Sequence, residues 1–302
     1  MMRSTVARRG GGTQPVWIAY GFLLPALAVY ATFVLGPILL SMYYSLFDWS
    51  GVSPRSTYVG MRNFARLVHD RVFWLAVGNN LKLVVLSILT QMPPALGLAL
   101  LITKGLRGMR LFRTAFFVPH MVPTVAIGIL WIYIYDRTMG LLNNLLGELG
   151  LWRWQRGWLG EESTALYAVV GTMAWQFIPF YMILFQAALV GIPQELHEAA
   201  AIDGATGTKA FRYVTLPLLQ GTIRTAVVLS LVGSLKYFDL IYIMTMGGPN
   251  HASELMATYM FKTAFNQFRM GYGSAVAVLS FLIAFVVSSV LLYFTQFRRR
   301  EA

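Results

Sequence analysis

Of 302 residues, 57% are apolar and only 12% are charged, about half the charged fraction of an ordinary soluble domain. The chain has no cysteine, which excludes thiolate metal sites, disulfide frameworks and cysteine nucleophiles. Basic residues outnumber acidic ones 24 to 12. In so apolar a chain that excess marks the wet side of a membrane protein rather than a nucleic-acid surface.

Long gaps between charges set the predicted elements. No Asp, Glu, Lys or Arg occurs between Arg9 and Asp48, Lys82 and Lys104, Arg113 and Asp136, Glu162 and Glu195, or Arg269 and Arg298. Each gap holds the roughly 20 residues that carry a helix across a ~30 Å hydrocarbon core. The first predicted span covers 17–44. Arg3, Arg8 and Arg9 precede it as in a secretory signal, but its apolar run, Val16 to Leu40, is far longer than a signal core of about 7–15 residues. It therefore reads as an uncleaved helix behind a flexible tail (1–16) that includes Gly10 to Gly12. Its Pro25 and Pro37 are tolerable if neighbouring helices cover the freed carbonyls. A second span is expected at 80–103, with Asn79 and Asn80 at its outer start either capping it or meeting a ligand, and a third at 114–136.

Leu141, Leu142, Leu145, Leu146 and Leu149 then repeat at helical spacing, and Trp152, Trp154 and Trp158 follow. This is an amphipathic helix with an aromatic anchor, either a brace at headgroup level or a docking face for a partner outside the membrane. A fourth span is expected at 164–190, a fifth at 222–244 and a sixth at 273–297, ahead of a basic tail (298–302). The fold class is all-α, a polytopic membrane protein with six transmembrane helices and one membrane domain over 17–297.

Six spans leave both termini on one side. With that side inside, the inner segments hold 13 basic residues in 65 and the outer segments 9 in 85. The density is higher inside, as the positive-inside rule expects. The turn from Lys104 to Arg113 and the run Arg298 to Arg300 carry most of the signal, while Arg55, Arg62, Arg66 and Arg71 oppose it.

The longest inner segment, 191–221, has its own design. Pro193 suits the first position of a helix, and Gln194 and Glu195 sit near the positive end of its dipole. Leu196, Ala199, Ala200 and Ile202 form a small apolar face. Gly204 supplies the positive φ that ends a helix, Thr206 or Thr208 is expected to cap a second short helix, and Pro217 closes the unit. The alanines let another backbone come close, with Glu198 and Asp203 as charge at the rim.

Glu198-Ala199-Ala200, then Gly204, then Val214-Thr215-Leu216-Pro217 resembles the "EAA" loop of binding-protein-dependent ABC importer permeases. The family more often has Ile where Val214 stands. Pro193 to Leu196, Ala201 to Ala205, Phe238 to Tyr242, Met244 to Pro249 and Gly271 to Ala275 are similar to the carbohydrate branch, the maltose and glycerol-phosphate type. The likeness runs over about 17–297.

The resemblance implies the type I importer permease fold and a division of labour. The loop, with Glu198, Ala199, Ala200, Asp203, Gly204, Leu216 and Pro217, is a coupling helix seated in a groove of a separate ATPase. Two related permease chains, expected as a heterodimer, stand over two ATPases in a bacterial inner membrane. A solute-binding protein delivers a sugar from outside, and both termini are cytoplasmic. The chain is then no enzyme. It binds no cofactor, and ATP and Mg belong to the partner ATPase. Membrane lipid surrounds the complex, and no nucleic acid is involved. A phosphorylated solute stays open, because Lys236 is able to meet a phosphate.

The residues agree. No Gly-x-x-x-x-Gly-Lys-Ser/Thr loop occurs to hold ATP phosphates. His197-Glu198 lacks the second histidine of a zinc helix, since position 201 is Ala, and His69, His120 and His251 lie in separate segments. No Gly-x-Ser-x-Gly elbow is present. An ion-driven carrier working alone needs carboxylates near the bilayer midplane, and only Asp239 qualifies. Intramembrane polar groups are the candidates for a solute path. Trp175 and Gln176 place an aromatic plane beside an amide in span four. Lys236 and Asp239, three apart on one helix face, either pair with each other or face the path, with Tyr237 between them.

Overall fold

The computed structural model describes residues 16–103 and 108–297. The expected tails, apart from Val16, and Lys104 to Arg107 of the basic turn lie outside the described residues. Helix α1 (Val16–Tyr30) runs through a π-helical turn (Ala31–Leu35) into α2 (Gly36–Tyr44). A two-residue β1–β2 ladder, Phe47–Asp48 on Thr57–Tyr58, follows and was not expected. Helix α3 (Arg62–Val68) leads into the 33-residue α4 (Arg71–Thr103). Next come α5 (Met109–Met121), α6 (Thr124–Ile134), α7 (Leu141–Glu148) and α8 (Ala165–Val190). The elbow holds α9 (Gln194–Ile202), the single turns α10 (Thr208–Ala210) and α11 (Leu216–Leu218), and a π-helical turn (Phe211–Thr215) between them. Helices α12 (Gln220–Leu235), α13 (Asp239–Met244), α14 (Met256–Phe261) and α15 (Met270–Phe297) complete the chain.

Among the described residues, four helical stretches are long and apolar enough to cross a membrane: Leu23–Tyr44, Arg71–Thr103, Ala165–Val190 and Met270–Tyr293. Two more qualify only as bent pairs, so three expectations are corrected. The second span starts nine residues before position 80, because Asp70 accepts from the amides of Val72 (2.9 Å) and Phe73 (3.2 Å) and caps the helix there. The expected straight helix over 114–136 is bent by 97° between Met121 and Thr124. Pro123 has no amide proton and drives Val122 into extended backbone (ψ 136°). The fifth span is likewise interrupted after Leu235, as described below. A 65° bend also separates the elbow's second half, Thr208–Leu218, from α12.

Helix α4 is the mast of the bundle. It packs along α8 and α12, while α13 lies on α6 and α15 on α2 and α14. Its buried face supports three successive clusters: Phe73, Ala76 and Val84 with Tyr272 and Ala275; Leu83 with Ile127, Val169 and Leu240; and Met92, Ala95 and Ala99 with Tyr181, Phe185 and Ala226. Small residues set the closest approaches, as membrane packing requires. A Cβ on Gly128 would lie 2.7 Å from Ile243, so α6 and α13 meet only because that position is glycine.

Candidate functional site

Three regions concentrate polar chemistry. The first is the elbow. Gln194 donates to Glu198 (2.9 Å) one turn on. Helix α9 ends in a Schellman arrangement: Gly204 donates to the carbonyl of Ala201 (3.1 Å) and Ala205 to that of Ala200 (2.7 Å). Gly204 has φ +77° with open space around it, so the backbone angle and not crowding selects glycine. Two expectations about this segment change. Pro193 is the residue before the helix (φ −58°, ψ 135°) rather than its first member, and Gly207, not Thr206 or Thr208, precedes α10. Ala200 is buried, but Glu198, Ala199, Asp203 and Pro217 are exposed, Leu216 is half-buried and Ile202 is 88% exposed. The apolar face expected for α9 is therefore largely uncovered within this chain.

The second region is a cavity of about 220 Å³ between α4, α5, α8 and α12. Its wall combines Phe177, Phe180 and Tyr181 with Gln91, His120 and Tyr237. Gln91 is 1% exposed and Tyr237 9%. Neither the Gln91 amide nitrogen nor the Tyr237 hydroxyl has a hydrogen-bond partner among the described residues. Buried donors without partners are costly, and here both border the same small cavity. His120 is held by the carbonyl of Gln176 (3.3 Å) and by ring contacts with Phe177 and Phe180.

Of the five residues expected on the solute path, the cavity contains Tyr237 alone. Trp175 does not line it and packs edge-on against Trp131 (5.6 Å), partly exposed. Gln176 is buried, and its amide donates to Thr124 (3.1 Å) on the neighbouring α6. Lys236 and Asp239 do not share a helix face, because α12 stops at Leu235 and α13 begins at Asp239; both are exposed, and no ion pair joins them among the described residues. Gln91 had a visible signal, a lone amide in the middle of a charge-free run, which sequence reasoning passed over. His120 sits just before the bend at Val122, which concealed that it faces the bundle interior.

The third region is the segment after span five. Asn79 and Asn80 do not cap α4; they are brackets between distant parts of the chain. Asn79 donates to the carbonyls of Ala252 (3.0 Å) and Glu254 (3.0 Å). Asn80 donates to the carbonyl of Ser234 (3.0 Å) in the last turn of α12, a carbonyl that also accepts from the amide of Tyr237, and Asn80 itself accepts from the amide of Met256 (2.8 Å) at the start of α14. One side chain thus bonds to two helix ends. The Glu254 carboxylate is fully buried; it pairs with Lys262, meets His251 (2.8 Å) and accepts from the Thr258 hydroxyl (2.7 Å). Nearby, Asp70 accepts from the hydroxyls of Tyr259 and Tyr272 (2.6 Å for the latter). Burial pushes the Asp70 carboxyl up, but those hydroxyls and the amides of Phe73 and Val72 outweigh it and hold it below its ordinary value of 3.8.

Comparison with known proteins places this architecture. The probable ABC transporter permease protein YurN of Bacillus subtilis is 38% identical over 286 residues, covering 94% of this chain and 98% of the relative. The trehalose/maltose transport system permease protein MalF of Thermococcus litoralis is 33% identical, over 93% of this chain and 95% of its own length. Among solved structures, a chain of a bacterial ABC transporter involved in the import of the acidic polysaccharide alginate shares the fold, with a TM-score of 0.79 at 23% identity, over 93% of this chain and 95% of that one. A family profile described as binding-protein-dependent transport system inner membrane component matches residues 95–300. The chain belongs to that family of multi-pass membrane transport subunits.

Proposed function

We propose that this chain is one of two permease subunits of an ATP-driven sugar importer, fed by a solute-binding protein and coupled through its elbow to a separate ATPase. The observation that carries the reading is the elbow. It is a preformed helix–turn–helix beyond the last turn of α8, with Glu195, Leu196, Glu198, Ile202 and Asp203 uncovered by the chain itself. Glu198, Ala199, Ala200, Asp203, Gly204, Leu216 and Pro217 form the docking unit, which lies with both termini on the cytoplasmic side. ATP and Mg are held by the partner ATPase. Closure of the ATPases drives the elbow as a rigid lever, and the two permeases rock between inward- and outward-facing forms. The second permease is a related but different chain.

The cavity supports a neutral sugar over a phosphorylated solute. Aromatic faces cover the C–H surfaces of a pyranose, and a free amide and hydroxyl meet its hydroxyl groups. Among the described residues no Lys or Arg lines the space, and Lys236 is at the exposed break instead. Relatives carry names of the same solute class: trehalose/maltose, diacetylchitobiose and starch degradation products.

Reversing one charge on the elbow tests the proposal. In the reconstituted complex, Glu198→Arg is expected to abolish uptake and the rise in ATP hydrolysis caused by sugar-loaded binding protein, while the chain inserts normally. Wild-type uptake by this variant would remove the elbow from the coupling path.

A further inference from the structure

Residues 135–164 join α6 to α8 on the membrane face opposite the elbow, and they build a rigid shelf. Its hub is Asn143, on the buried face of α7. The Asn143 amide donates to the carbonyls of Arg137 (3.0 Å) and Arg156 (2.9 Å), and its oxygen accepts from the Trp158 indole (2.8 Å). Gln155 donates to the Asn143 carbonyl (2.8 Å). Trp152 lies over Gly147, so close that a Cβ there would come within 2.9 Å of the indole.

The side of this shelf turned away from the hub is not covered by the chain. Around α7, at 3.6 residues per turn, Asn144 and Glu148 form one exposed edge. Leu141 and Leu145, with Leu149 at the helix end, form the next, also exposed. Leu142 and Leu146 are half-buried, and Asn143 and Gly147 face the protein. The helix therefore presents a polar edge, an apolar edge and a packed face side by side. Trp152 and Trp154 follow α7, both 66% exposed, with the Trp152 ring reaching back over Gly147, and Arg153 between them has no ion pair among the described residues. The same kind of stripe runs up the preceding membrane helix as Val125, Ile129 and Tyr133, all exposed.

We propose that this shelf docks on phospholipid. Helix α7 lies in the headgroup–acyl boundary of the leaflet opposite the elbow, with its leucine edge toward the acyl chains and the two indoles at headgroup level. Position supports lipid as the occupant. The shelf follows α6, one limb of a bent span, and leads into the bilayer-length α8, and both α6 and α7 carry exposed apolar residues on either side of the turn that joins them. Chemistry supports the same occupant: two indoles flanking an unpaired guanidinium match an interface where apolar chains meet phosphodiesters. A polar edge beside a leucine edge is the arrangement a horizontal interfacial helix uses.

The absence of cysteine makes the test clean. Single spin labels go on Leu145→Cys, Leu149→Cys and Asn144→Cys in the full chain, reconstituted into phospholipid nanodiscs in the assembly in which it purifies. Labels at 145 and 149 are expected to collide with oxygen and exclude a water-soluble nickel chelate. The label at 144 is expected to show the reverse preference. Two positions on the leucine edge keep the result readable if one variant fails to insert. Nickel access at 145 and 149 would show a surface facing water and overturn the proposal. Shielding from both reagents would assign the surface to a protein partner and overturn it equally.

Discussion

The elbow and the segment 245–267 are the two longest departures from spanning helix after α8, and they are built in opposite ways. The elbow satisfies its own backbone, through the Schellman turn at Gly204 and the Gln194–Glu198 contact. It leaves its side chains bare, with Ile202 and Glu198 uncovered. The other segment spends its side chains inward. Glu254 is sealed against Lys262 and His251, and Asn79 and Asn80 reach from α4 to hold Ala252, Glu254 and Met256. One region leaves a surface that its own chain does not cover, and the other is strapped to its own bundle. Under the proposed coupling, the first is a handle and the second a fixed wall.

That contrast makes stability the first measurement. Lys262→Met leaves the Glu254 carboxylate buried with only His251 and a hydroxyl. Breaking a buried ion pair from one side costs about 3–5 kcal/mol, so a lowered unfolding midpoint in nanodiscs is expected. Adding Glu254→Leu to Lys262→Met should recover most of the loss, because an apolar pair carries no stranded charge. A single variant as stable as wild type would dissolve the strap.

A smaller effect is expected from Asp70, which ties the start of α4 to α14 and α15. Its folded carboxyl titrates below its ordinary value of 3.8, so the folded state binds its proton less readily than the unfolded chain. The stabilisation is complete above that value and is lost as pH falls through it toward the folded value. The unfolding midpoint should drop over that acid window. Asp70→Asn should flatten the dependence, and an unchanged acid profile would show that Asp70 contributes nothing to the strap.

How much of this was legible follows from which forces act locally. Charge gaps located the spans because burying an unpaired charge in hydrocarbon is costly wherever it happens. The elbow was legible because proline, glycine and alanine set its backbone with little tertiary help. The leucine repeat of α7 was legible for the same reason. The start of α4 was not, because a capped helix continues past the last lipid-facing turn, and a charge count sees only the lipid. The strap was not legible either: Asn80 contacts Ser234 and Met256 across more than 150 positions of chain, and no local spacing records that. The cavity failed for a third reason. Trp175 and Gln176 have the right chemistry, but the bend at Pro123 brings α5 and α6 against α8. Gln176 is then occupied by Thr124, and the open space falls to Gln91, His120 and Tyr237.

The smallest change in stability should come from the elbow, and it sharpens the contrast most. Ile202 is 88% exposed, so Ile202→Ser removes almost no contact within the chain. Exposed substitutions away from caps and special backbone stay within about 0.5 kcal/mol, and the unfolding midpoint of the isolated permease should not move. Transport by the assembled complex should nevertheless fall, because the residue is apolar where the chain itself gives it nothing to pack on. If a partner covers it, the cost of serine appears only in assembly, as weaker retention of the ATPase and slower uptake. Should the midpoint fall instead, Ile202 belongs to the chain's own packing and the elbow is no handle. Should neither property change, whatever grips the elbow does so through Glu198 and the alanines alone.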